Sequence, residues 1–176
     1  YPALYGRGIC YDAIEEYELA IRDFKQCVKI KPDYADVYHS MGDAYYNLDD
    51  LDEASKSYEK ALEIEPYNSE YIFDYAQVLY ELSKFDEALK EVAHLVDLAP
   101  NWLEALYLKA KIHTKLNHFD EFIEVVADIN SLDPAGMQIF IEEMKDLVRS
   151  QPIDGRLAQA LRYAEVSPEA MRRWIK

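Results

Sequence analysis

The chain has 176 residues, half of them apolar and 30% charged, with a formal net charge of −15. That is enough apolar material for one sizeable core, and no stretch approaches the roughly 18 uninterrupted apolar residues of a membrane-spanning helix. An acidic chain repels nucleic acid and anionic membranes, so the charge points either to basic partners or simply to solubility.

The charge is unevenly spread, at −16 over residues 1–136 and +1 over residues 137–176. No basic-then-apolar leader opens the chain, which favours a cytoplasmic location. The first residue is Tyr1 and lies inside a repeating pattern, so further sequence is expected before it. Cys10 and Cys27 both stand among apolar neighbours and read as buried thiols, not as a disulfide or metal pair.

In chain order, residues 1–34 read as two helices, Tyr1–Ala13 and Tyr17–Lys31, the second stopped by Pro32. Residues 35–68 give the clearest pattern. Tyr38, Met41, Gly42 and Tyr45 recur at helical spacing and form a packing face. Asn47–Asp50 make a turn, and Glu53 begins a second helix with Ala54, Tyr58, Ala61 and Leu62 inward. Small Gly42 and Ala54 let helices approach closely, and Tyr45 and Tyr58 fill the space between them. Pro66 ends that pair.

Residues 69–102 repeat the pattern with Ile72, Tyr75, Ala76, Leu79, Phe85, Ala88, Val92 and Leu95. Residues 103–136 repeat it with Leu106, Ala110, Phe119, Val126 and Ile129, but Phe122 replaces the expected alanine and implies a wider helix pair. After Gly136 the pattern decays. Met137–Arg149 is an amphipathic helix with Met144 at a small-residue position. Helices are also expected over 157–166 and after Ser167-Pro168-Glu169, where serine caps and proline opens the first turn. Residues 137–176 are expected to form a degenerate fifth repeat and a capping helix, because solenoid ends must close the core. A membrane-surface role for Arg172, Arg173 and Trp174 is the weaker reading.

The spacing is constant. Pro32, Pro66, Pro100 and Pro134 stand 34 residues apart. The series Gly8, Gly42, Ala76, Ala110, then Ala20, Ala54, Ala88, and Tyr17, Leu51, Phe85, Phe119 keep the same step. Self-similarity of this period marks a stacked helical array, and the chain resembles the tetratricopeptide repeat (TPR) family. The resemblance implies an all-α, right-handed superhelical solenoid of antiparallel helix pairs, with repeats at 1–34, 35–68, 69–102 and 103–136. It also implies that the first helix of each pair lines a concave face.

No phosphate loop, CxxC pair, HExxH or nucleophile elbow is present, so no catalytic residue, cofactor or metal ligand is assigned. Gly6-Arg7-Gly8 follows no strand and reads as helix. His113 and His118 are five apart, not the four that place two imidazoles on one helical face, and read as packing or surface residues.

Each first helix carries a second face, opposite its packing face. It holds Tyr5 and Asp12 in repeat one; Asp36, His39, Asp43 and Tyr46 in repeat two; Glu70, Phe73, Asp74, Gln77 and Tyr80 in repeat three; and Tyr107 and Lys111 in repeat four. Packing does not require the aromatics Tyr46, Phe73, Tyr80 and Tyr107. Covering two or three of them, at roughly 1.5–3 kcal/mol each, supports micromolar affinity after association costs. The expected partner is a basic segment with one or two apolar anchors, acidic where it meets Lys111 and Lys115.

TPR domains that clamp the C-terminal carboxylate of chaperone tails use Lys, Asn and Arg. The corresponding positions here are Tyr5, Ile9, Ser40, Glu70 and Asp74, or one repeat later His39, Asp43, Asp74, Glu104 and Leu108. Neither set suits a carboxylate. The favoured function is a non-catalytic scaffold for a protein or peptide partner. The alternatives are an assembly element stacking through its N-terminal end, including on another copy, and the recognition arm of a larger enzyme.

Overall fold

The computed structural model describes residues 2–150, with side chains through residue 144. The helices expected over 157–166 and 168–176 lie outside the described residues. Those described form nine α-helices and no strand: α1 (Pro2–Ala13), α2 (Tyr17–Ile30), α3 (Ala35–Asn47), α4 (Leu51–Ile64), α5 (Ser69–Glu81), α6 (Phe85–Leu98), α7 (Leu103–Leu116), α8 (Phe119–Leu132) and α9 (Pro134–Ser150).

Tyr17, Leu51, Phe85 and Phe119, the periodic apolar series, are the first residues of α2, α4, α6 and α8. Two starts differ from expectation. Asp50 accepts the Glu53 amide at 3.3 Å and caps α4 two residues early. Asp133 accepts the Gly136 amide at 2.9 Å and starts α9 at Pro134, where proline suits the first turn. A Cβ at Gly136 would collide with the Asp133 carboxylate, so the cap requires glycine there.

Every turn inside a helix pair contains one left-handed residue that is not glycine: Glu15 (φ 63°), Asp49 (60°), Ser83 (61°) and Asn117 (60°). They too follow the 34-residue step, and they close each pair into an antiparallel hairpin.

The described residues form two compact bodies, which divide between Glu91 and Val92. The core of the first gathers Ala20, Phe24, Met41, Ala44, Ala54 and Tyr58. Gly8 meets the ring of Phe24 and Gly42 that of Tyr58, so closely that a Cβ on either would stand 2.5 Å from the ring. Asp23 of α2, fully buried, accepts both the Nε (2.5 Å) and an Nη (2.9 Å) of Arg7. That bond to the guanidinium holds its carboxyl below the usual range. Arg7 thus ties α1 to α2.

The core of the second body is built on Leu106, Phe122, Ile123, Val126, Ile129, Met137 and Ile141. Phe122 is fully enclosed, taking an alanine position of the other repeats. Cys27 is buried as expected, but Cys10 is exposed. Cys10 sits beside Ile9 on the outer side of α1, where Ile9 is itself 39% exposed, so apolar neighbours in sequence did not mean burial.

Candidate functional site

In the first body, α3 and α5 run side by side, and their polar faces meet in register. Four side-chain contacts, three between α3 and α5 and one between α1 and α3, join residues separated by one repeat plus one position. The Tyr5 hydroxyl lies 3.4 Å from Ser40 Oγ, and the Tyr71 hydroxyl donates to Asp36 at 2.5 Å. His39 Nε2 lies 2.7 Å from Asp74, and the Tyr46 hydroxyl donates to Glu81 at 2.7 Å. The 34-residue period brings equivalent positions side by side, and the helical offset adds one.

His39 is the hub. Its ring stacks on Tyr71 at 4.5 Å, its Nε2 meets Asp74 and its Nδ1 faces Asp43 at 3.5 Å. Burial opposes the charged imidazole, but the Asp74 hydrogen bond and the charges of Asp43, Asp74 and Glu70 together outweigh it and raise its pKa. Asp43 accepts the Tyr58 hydroxyl at 2.7 Å. Burial pushes the Asp43 carboxyl up, against the pull of His39 and Tyr58. One oxygen of Asp12 on α1 is enclosed without a hydrogen-bond partner, and burial raises that carboxyl as well.

His39, Asp43 and Asp74 offer ligand atoms within 4.8 Å of one another. The two ring nitrogens face different carboxylates, which is the geometry of an imidazolium held between acids. A metal would need one ring nitrogen and both carboxylates to converge on a single point.

Beside this hub lies a recess of about 220 Å³, lined by Asp43, Tyr46, Asn47, Tyr58, Asp74 and Gln77, with Val78 at its base. Gln77 donates to the Tyr46 hydroxyl at 3.1 Å. The Glu81 bond and then burial raise the Tyr46 phenol, so it stays neutral.

Of the residues expected on this face, the structure thus brings Asp36, His39, Asp43, Tyr46, Asp74 and Gln77 together. Tyr5 packs its ring edge-on to Tyr34 at 5.4 Å and against Phe24. Tyr80 packs on Phe85 at 5.5 Å, Phe73 is half-buried and Glu70 is exposed. Tyr107 and Lys111 belong to the second body. There Tyr107 packs on Phe140 at 5.0 Å with its hydroxyl enclosed and unpartnered, so it is a core-edge residue more than a free anchor. Tyr58 reads as core from its repeat position and Tyr71 carries no assignment in the sequence pattern, yet the hydroxyls of both reach this face.

His113 is buried with both ring nitrogens unpartnered, 5.8 Å from the His118 ring. Burial lowers its pKa to about 4, helped by Lys109. It is a neutral packing residue.

The helix pairs and their repeat-to-repeat hydrogen bonds define a helical-repeat protein. The family model for the anaphase-promoting complex, cyclosome, subunit 3 matches residues 47–129, and a TPR repeat model matches residues 11–49. The chain belongs to the tetratricopeptide repeat family. Among curated protein sequences nothing matches it.

Similar solved structures include a MamA protein, 14% identical at a TM-score of 0.79, with 98% of this chain and 94% of that one covered. YrrB, a TPR protein with an unusual peptide-binding site, is 19% identical at 0.76, covering 97% and 89%. The first TPR of Spaghetti, bound to an HSP90 peptide, is 22% identical at 0.62, covering 65% and 91%. At these identities the likeness is one of fold. No described helix is long and apolar enough to cross a membrane.

Proposed function

We propose that the chain is a non-catalytic interaction scaffold whose α3–α5 face receives a basic partner segment. The observation that carries this is the recess at Asp43, Tyr46, Asp74 and Gln77. Two carboxylates share one imidazole there, so the site keeps a negative balance, and two phenol rings offer apolar walls. A Lys or Arg entering it meets charge-assisted acceptors, while an adjacent apolar anchor gains burial against the ring of Tyr46. The folds of YrrB and Spaghetti, which hold peptides, support the class of function but not the chemistry of this ligand. The acidic His39–Asp43–Asp74 group is unsuited to a terminal carboxylate of the kind chaperone tails present.

The test is affinity capture from source-cell lysate, read by mass spectrometry, with the parent chain and with Tyr46→Ala/Tyr80→Ala. A partner with a basic segment, captured by the parent and lost from the variant, supports the proposal. Identical captures overturn it and move the interaction to another surface.

A further inference from the structure

A second, open recess of about 370 Å³ lies in the same body, on the side of the second helices. Its floor is Leu62 of α4 with Tyr75 and Leu79 of α5. Its rim carries Glu59 and Glu63 from α4, facing Glu87, Lys90 and Glu91 from α6. Lys60 engages Glu63 at 2.6 Å and Lys90 reaches Glu91 at 3.4 Å. Among the described residues no ion pair engages Glu59 or Glu87, one on each side of the opening, and both are exposed. The field converges on the floor: burial first, then the charges of Glu59, Glu87 and Glu91, raise the Tyr75 phenol.

We infer that this recess docks a basic amphipathic segment of a protein partner, with one aliphatic or aromatic side chain seated on Leu62, Tyr75 and Leu79 and flanking Lys or Arg paired with Glu59 and Glu87. Charge complementarity selects this occupant. A second copy of a chain with net charge −15 would bring like charge to the rim, and nucleic acid or an anionic lipid surface would be repelled. The apolar floor selects against a purely charged ligand, because rim ion pairs in water contribute little alone, whereas seating one large apolar side chain adds burial. The site is separate from the α3–α5 face and stands or falls without it.

The experiment uses a fluorescein-labelled peptide of about twelve residues, an amphipathic helix with leucines one turn apart among lysines, read by fluorescence anisotropy. Two control peptides replace the leucines with serine or the lysines with glutamine. Glu59→Gln/Glu87→Gln should weaken binding about three- to tenfold. The charge-matched pair Glu124→Gln/Asp128→Asn, on α8, and the Tyr46→Ala/Tyr80→Ala chain should bind like the parent. Both control peptides should bind more weakly than the probe. Equal weakening by the α8 pair, or serine-for-leucine binding as tight as the probe, would show diffuse attraction and overturn the inference. Loss confined to the Tyr46/Tyr80 variant would place the peptide on the other face and overturn it as well.

Discussion

Gly42 shows how a single position sets helix spacing. Its backbone rests on the ring of Tyr58, and the equivalent Gly8 rests on Phe24. In the next two repeats the sequence pairs Ala76 with Val92 and Ala110 with Val126, so a larger small-residue is matched by a smaller facing one. Gly42→Ala should therefore cost about 1–3 kcal/mol by overpacking, and Tyr58→Val, which by itself loses core packing and the bond to Asp43, should cost less in that background than in the parent. Urea denaturation of the single and double variants measures both; a double variant no better than additive would contradict the pairing.

The two perturbed histidines make opposite predictions. His113 has its folded pKa depressed to about 4 by burial, so its contribution is present above its unfolded value near 6.5 and is lost as pH falls towards 4. His39 has its folded pKa raised, so its contribution is full below about 6.5 and is lost as pH rises through the raised value. Titration of the imidazole resonances by NMR should find His39 above and His113 well below the free value. The glycine series was legible in the sequence because its period is the repeat. The His39 bridge was not: His39 and Asp74 sit at different repeat positions and meet only through the one-residue offset between neighbouring first helices.

Among the helices, the starts of α2, α4, α6 and α8 could be read to within two residues, since one apolar series marks them all. The turns before them were legible as turns but not as geometry. Glu15, Asp49, Ser83 and Asn117 are four different polar residues, yet each is left-handed. Tight closure of the hairpin imposes that conformation against the local preference of the side chain. Ser83→Gly should relieve it and stabilise the fold by about 1 kcal/mol, with a smaller gain at Asn117, whose side chain tolerates the left-handed region. Thermal melts of the two variants check the order; a loss of stability at Ser83→Gly would show that the turn stores no strain. Cys10 and Tyr107 were misplaced for a common reason. Helical periodicity assigns a face, but it does not say how far the neighbouring helix covers it.

For the molecule as a whole, the governing quantity is the net charge of −15, concentrated before residue 137. Composition alone revealed its sign; which acids gather around a recess required the fold. Association with a basic segment should be electrostatically steered, so its on-rate should fall about tenfold or more between low and high salt, with a smaller change in off-rate. Stopped-flow binding at several ionic strengths reads this directly, and a salt-independent on-rate would count against charge-guided recognition.

The central claim is that the α3–α5 face recognises basic, apolar-anchored segments. A displayed random-peptide library selected on the parent chain, with each enriched clone rebound to Tyr46→Ala/Asp74→Asn, tests it most directly. The account predicts enriched peptides carrying Lys or Arg beside a large apolar residue, most of them lost on the variant. Enrichment of neutral or acidic peptides, or of basic ones that bind the variant equally well, would contradict it.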